Sequence, residues 1–235
     1  MRFAKWRFRA HRKSFAGKIG LEIGGPTLLF EETNFLPVYA WAERVDGVNF
    51  ARQTVWEGTI KEGPNYKYAA NRCGHQYIRE ATDLGGIDDA SYDFVLSSHS
   101  LEHSANALKA VSAWTRVLKP GGVLVVAVPN PPETFDHLRQ VTSFSHLLED
   151  FEKNVGEDDM THLDEVLRLH DRSRDPPSGT AEEFRERSLK NVENRCLHHH
   201  VFDAALMRRV FAHVGVVPFY EHVHGGSVIT VGTKK

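Results

Sequence analysis

Fourteen histidines stand in a chain of 235 residues, and ten of them follow Asn130. Histidine exchanges a proton near neutral pH, so its clusters mark candidate acid–base chemistry. One cluster is Ser97-Ser98-His99-Ser100-Leu101-Glu102-His103. His99 follows a serine pair at the end of an apolar run, a place from which it could face a substrate. His99 and His103 are spaced i, i+4 and could chelate a metal from one helix face. No third ligand accompanies them, so no metal is expected. A second cluster is Thr134-Phe135-Asp136-His137, in which Asp136 could orient His137 as a base. The third is Asn194-Arg195-Cys196-Leu197-His198-His199-His200, whose spacings fit no standard structural zinc pattern. Arg139 and Arg195 would suit a carboxylate, phosphate or sugar-acid substrate. Arg139, Arg195, His198, His199 and His200 are therefore the candidate substrate contacts. The plainer reading is a polar lid whose histidines are satisfied hydrogen-bonders.

Elements that position these groups follow from apolar runs and their breakers. Lys18 to Ile23 reads as a buried strand closed by the turn Gly24-Gly25-Pro26. Pro37 to Val45, Gln76 to Ala81 and Tyr92 to Ser97 read as further strands. Ser104 to Leu118 has helical spacing and is stopped by Lys119-Pro120-Gly121-Gly122. Val123 to Val128 is apolar on both faces, as strands of a parallel sheet are. Helical patches are expected at Ser145–Phe151, Leu163–His170 and Ala181–Asn191, then an amphipathic helix over Phe202–Ala212. Val216–Tyr220 and Ser227–Gly232 should pair antiparallel. Alternation of this kind implies an α/β sheet between helical layers. Residues 1–235 read as one domain, with a helical insertion or lid at about 131–200.

Hydrophobic residues make up 41%, enough for a real core, and the net charge is −2. That balance gives no global pull toward nucleic acid or an anionic membrane. Two cysteines, Cys73 and Cys196, fit a reducing, cytoplasmic compartment. No apolar run approaches a membrane span. The first 18 residues are basic, with Phe3, Trp6, Phe8 and Phe15 among them. They read as a helix packing its aromatics on the domain, with the cations in water.

In open α/β sheets, ligands bind at the carboxyl ends of strands near the topological switch point. Leu21-Glu22-Ile23-Gly24-Gly25-Pro26-Thr27 sits at such an end. Glycine there lets a ligand lie against the backbone, and Glu22 could attract a positive group.

The order of motifs resembles the class I S-adenosylmethionine-dependent methyltransferases. The matching pieces are LEIGGPT (Leu21–Thr27), Asp46 in RVDGVNF, ATDL (Ala81–Leu84), YDFVLSSHSLEH (Tyr92–His103) and RVLKPGGVLVVAVPN (Arg116–Asn130). The family's Gly-x-Gly-x-Gly becomes Gly24-Gly25-Pro26-Thr27, so the turn differs in detail. The resemblance implies a Rossmann-like, seven-stranded, mostly parallel sheet with a C-terminal antiparallel strand pair and S-adenosyl-L-methionine as cofactor. Glu22, Gly24, Gly25 and Thr27 would face its methionine end and Asp46 its ribose. Asp83 and Leu84 would contact the adenine, with Ser97 and Ser98 near the sulfonium. Methyl transfer needs a base only if the acceptor starts protonated, and His99 or His137 would serve. The expected acceptor is a small polar molecule of anionic or sugar-like character, methylated on oxygen. The alternatives are a non-catalytic binding or interaction protein and an RNA or DNA methyltransferase.

Overall fold

The computed structural model describes residues 7–235. Ten strands form in chain order: β1 (Ile19–Ile23), β2 (Arg44–Asn49), β3 (Gln53–Thr54), β4 (Gly58–Thr59), β5 (Gly63–Ala69), β6 (Arg72–Ile78), β7 (Tyr92–Ser98), β8 (Leu118–Pro129), β9 (Val216–His224) and β10 (Ser227–Lys234). Eight of them make one sheet, in the order β5-β6-β2-β1-β7-β8-β10-β9, and β3 pairs with β4 in a separate hairpin. The β6-β2-β1-β7-β8 run is parallel throughout. Strand β10 runs antiparallel to both of its neighbours. The sheet thus has one strand more than expected, the edge strand β5 antiparallel to β6. Its signal lies in the sequence: Tyr66 and Tyr68 are buried while Lys67 between them is exposed. Both edge strands carry a proline, Pro64 in β5 and Pro218 in β9.

The expected strand at Pro37–Val45 is instead a helical turn, α1 (Val38–Trp41), followed by β2. Val-Tyr-Ala-Trp is strand-like by composition, but tertiary packing decides. Val38 and Tyr39 are buried on one face, and the Arg72 guanidinium caps the carbonyls of Tyr39 and Ala42. The consequence is a register shift. Ile23, the last residue of β1, sits opposite Val48, and Asp46 lies opposite Leu21. The carboxyl end of β2 is therefore Asn49, three residues beyond Asp46.

Alternation sorts the sheet residues onto two cores. Leu21, Ile23, Val95 and Leu124 face α2 (Ala107–Val117) and α7 (Ala204–His213). On the other face, Phe8, Phe15, Phe30 and Tyr39 cover Phe94, Val125 and Ile229. The basic N-terminal stretch contributes here: Phe8 packs 5.4 Å from the Tyr220 ring and 5.8 Å from Trp41. Phe3 and Trp6 lie outside the described residues. A Cβ on Gly20 would overlap the Phe94 ring, so that close approach requires glycine.

Between β8 and α7 the chain forms α3 (Phe144–Glu152), α4 (Leu163–Leu169), α5 (Ala181–Leu189) and α6 (Asn191–Asn194), with short 3-10 turns. Ser143 caps α3, Thr180 and Glu183 form a capping box on α5, and Asp203 caps α7. The segment's own apolar cluster is small, built on Val166, Phe184 and Leu197. Arg139 does much of the tying. It is buried, donates to Asp136 at 3.0 Å and Glu165 at 3.2 Å, and reaches the carbonyls of His198 and His199. Every direction of its guanidinium is thereby used inside the protein, which corrects its reading as a substrate contact. Among the described residues, no helix is long and apolar enough to cross a membrane.

Removing Arg139 would leave buried Asp136 with one cation fewer. Arg139→Ala is expected to cost about 3–5 kcal/mol of stability, read as a lower urea midpoint; a loss under about 0.5 kcal/mol would contradict this role.

Candidate active site

A cavity of about 1040 Å³ opens where the parallel strands end. Its floor is made by Ile23 and Gly24 after β1, Val48 to Phe50 at β2, Arg79 to Ala81 after β6, Ser98 to Ser100 at β7, and Pro129 at β8. These are the carboxyl ends on both sides of the β1/β7 switch point, where the sheet order reverses. Val55 and Trp56 from the β3–β4 hairpin and Leu28 after the turn form an apolar lip, 54–70% exposed. The opposite rim comes from the segment 131–200: Thr134, Phe135, Glu157, Arg174, Arg187, Arg195 and His198.

The glycine turn is rigidly seated. Gly24 has φ +75°, and a Cβ there would collide with Ser100 Oγ. Its N–H donates to Val48 at 2.9 Å, and Asn49 Nδ2 donates to the Gly25 carbonyl at 3.3 Å. The Gly25–Pro26 peptide is cis. Gly24 and Thr27 line the cavity; Gly25 instead covers Glu22, whose carboxyl group a Cβ would meet.

Glu22 does not reach the cavity. It is fully buried on the other sheet face, accepting from Tyr39 Oη at 2.5 Å and Tyr66 Oη at 2.7 Å. Strand alternation explains this, since Ile23 points to the opposite face. Burial pushes its pKa up to about 7 against the pull of both phenols. Tyr39 Oη also accepts from the Thr27 N–H at 2.8 Å, so Glu22 supports the turn from beneath.

Asp46 is likewise interior, accepting from the His75 N–H at 2.8 Å and Tyr92 Oη at 2.9 Å, with Arg44 at 3.0 Å. It lies too early in the strand: β2 continues three residues further, to Asn49, and the cavity begins two residues on, at Val48. Asp83 is exposed and Leu84 is buried in the core, and neither lines the cavity; Ala81 does. Ser98 faces the cavity while Ser97, one pleat earlier, is buried away from it.

His99 lines the floor. Its φ is +52°, a strained value for a residue with a Cβ, held by its N–H on the Ala127 carbonyl at 2.9 Å. Its Nε2 is 2.7 Å from Ser227 Oγ, and its Nδ1 lies 4.0 Å from Glu102 Oε1. Glu102 is fully buried, both of its carboxylate oxygens lack a hydrogen-bond partner among the described residues, and burial raises its pKa. His103 Nε2 is 3.9 Å from Glu102, and burial pushes the His103 pKa well below the usual imidazole range.

The pairing expected between Asp136 and His137 is not made. Asp136 bonds His198 Nδ1 at 2.6 Å, whereas His137 bonds Asp171 at 2.9 Å, outside the cavity. Burial opposes charge on both Asp136 and His198. The hydrogen bond between them overcomes it, lowering Asp136 to about 2 and raising His198. His199 and His200 are buried against Asn191 and the Ala105 carbonyl and do not line the cavity. Arg195 does line it, bonded to Glu80 at 2.7 Å and lying over the Phe50 ring. Sequence reasoning missed Asn49, Phe50, Trp56 and Glu80. A correct end for β2 would have exposed the first two; nothing local marks Trp56.

The Methyltransferase domain family matches residues 40–126. A S-adenosylmethionine dependent methyltransferase from Mesorhizobium loti is similar over 98% of each chain, at 12% identity and a TM-score of 0.54. A putative S-adenosylmethionine dependent methyltransferase from Listeria monocytogenes is similar over 100% of each chain, at 14% identity and a TM-score of 0.52. At these identities the two structures share a fold with this chain. No curated protein matches it.

Residues 40–126 thus match a methyltransferase domain model, and the chain shares its fold with S-adenosylmethionine-dependent methyltransferases.

The cavity has room for a small-molecule cofactor. It exceeds the span of about 300–1,000 Å³ common for small-molecule sites, and a glycine cradle, an amide and an apolar lip line it. Glu102, His103 and His198 also place donor atoms within 4.8 Å of one another on its wall, a set able to hold a cation.

The turn's buried support has a pH signature. Between about pH 4.5 and 7 the folded chain keeps a proton on Glu22 that the unfolded chain has released, so stability falls as pH rises through that window. Glu22→Gln should flatten the decline by up to about 3 kcal/mol, measured by urea denaturation across pH; an unchanged slope would refute the buried, protonated carboxyl.

Proposed function

We propose that this protein is an S-adenosylmethionine-dependent methyltransferase that methylates an oxygen of a small polar acceptor held between the strand ends and the segment 131–200. The observation that carries the reading is His99: a strained imidazole at the end of β7, on the cavity floor, with a distinct partner at each ring nitrogen. When bound, S-adenosylmethionine supplies an electrophilic methyl group. The Gly24–Thr27 turn would hold its methionine end, Asn49 the ribose hydroxyls, and Glu80 with Ala81 the adenine edge. The lip of Leu28, Val55 and Trp56 would exclude water over the bound nucleoside.

The chain's own chemistry is positioning and one proton transfer. Ser227 Oγ engages Nε2 of His99 and leaves Nδ1 to take the acceptor's hydroxyl proton. Glu102, 4.0 Å from Nδ1, stabilises the resulting imidazolium when ionised. Proximity supplies much of the rate, because an in-line displacement asks mainly for alignment. Arg174, Arg187 and Arg195 at the rim favour an acceptor with carboxylate, phosphate or sugar-acid character. His198, fixed by Asp136, presents its other nitrogen on the same wall.

Asn49→Ala should weaken S-adenosylmethionine binding about tenfold, a loss of about 1.4 kcal/mol, by isothermal titration. Equal affinity in the variant would remove Asn49 from the ribose site. With a panel of hydroxylated acids and sugars as acceptors, His99→Ala should lower turnover about 100-fold or more while cofactor affinity holds. Full turnover by that variant would exclude His99 as the base.

A further inference from the structure

The segment between β8 and α7 folds with little apolar burial of its own, so its polar contacts must specify it. Four residues from three parts of this segment converge. His146 and Asp150 stand one turn apart on α3, His162 precedes α4, and His200 lies in the extended stretch before α7. Each offers a donor atom, and all four atoms lie within 4.8 Å of one another.

The spacing is that of a coordination shell. Nε2 of His146 is 3.0 Å from Nε2 of His162 and 3.4 Å from Asp150 Oδ2, and Nε2 of His200 is 3.7 Å from the same oxygen. A tetrahedral ion with bonds of about 2.0–2.1 Å places its donors about 3.3–3.4 Å apart. The three imidazole planes are mutually steep, at 65–88°, and so splay around a common centre. Asp150 is buried, and its Oδ2 has no hydrogen-bond partner among the described residues. Such an orphan acceptor is costly without a cation. Behind His162, Glu165 lies 3.8 Å from Nδ1, as carboxylates lie behind ligand imidazoles.

We propose that His146, Asp150, His162 and His200 bind one structural zinc ion. Three imidazoles and a carboxylate suit zinc, and four protein ligands close the shell, which marks a structural rather than a catalytic site. His200 Nε2 also contacts the Ala105 carbonyl at 3.0 Å; on coordination it turns its lone pair to the ion instead. The ion would pin α3, the start of α4 and the His198–His200 stretch together. It would do so independently of any reaction in the cavity.

The test uses the full chain without added histidines, loaded with zinc and dialysed. Elemental analysis should find about one zinc per chain, and cobalt substitution should give the intense visible bands of a tetrahedral site. A strong chelator should lower Tm by about 5 °C or more, with zinc restoring it. The Asp150→Asn, His162→Ala double variant should lose the ion, whereas Glu102→Gln, in the cavity wall, should keep it. Wild-type chain that retains no zinc overturns the proposal even if the double variant fails to fold. So does zinc that persists undiminished in the folded double variant, or that is lost in Glu102→Gln.

Discussion

One buried carboxylate holds together the rim of the candidate site. Asp136 is shared between the Arg139 guanidinium and the His198 ring. Arg139 holds the backbone of the histidine stretch by two carbonyls, and His198 carries that stretch to the cavity wall. The sheet supplies a floor whatever happens there, because its strands are held by ladder hydrogen bonds and two apolar cores. The rim has no such support. Its geometry follows from whether Asp136 stays charged, and two cationic partners outweigh the burial that would neutralise it.

The same logic explains why so many polar residues of this segment are unavailable to a ligand. Arg139, His199 and His200 are spent on internal partners, in a region whose apolar cluster is built on Val166, Phe184 and Leu197. A segment that buries little hydrocarbon must be specified by directional bonds, and buried polar groups then need complete sets of partners. Arg195 and His198, by contrast, both hold internal partners and line the cavity. Each is braced by a carboxylate, Glu80 and Asp136 respectively.

Much of the architecture could be read from the sequence. The helices at Phe144–Glu152, Leu163–Leu169 and Ala181–Leu189 fall close to their expected places, because each has its own apolar spacing and stop signals. The family resemblance implied a mostly parallel sheet ending in an antiparallel strand pair. The site was less legible for a specific reason. Val38–Trp41 has strand composition and helical geometry, and that mistake moved the end of β2 by four residues. Asp46 then looked like a strand-end acid, although it lies beneath the floor. Glu22 was misplaced by pleat parity: one residue along β1 separates the cavity side from the Tyr39–Tyr66 side. Which acid orients which imidazole was not readable at all. Asp136 and His137 are neighbours in sequence, yet their partners lie 62 and 34 residues away.

The prolines at the two margins of the sheet bear on how the molecule behaves in crowded solution. An outermost strand offers a row of unsatisfied amides that can nucleate accretion of further chains. Pro64 at one border and Pro218 at the other each strike one donor from that row, and Lys67 adds a charge to the first. Growth by strand addition is discouraged at both flanks, so a long, strongly apolar β-layer can stay dispersed.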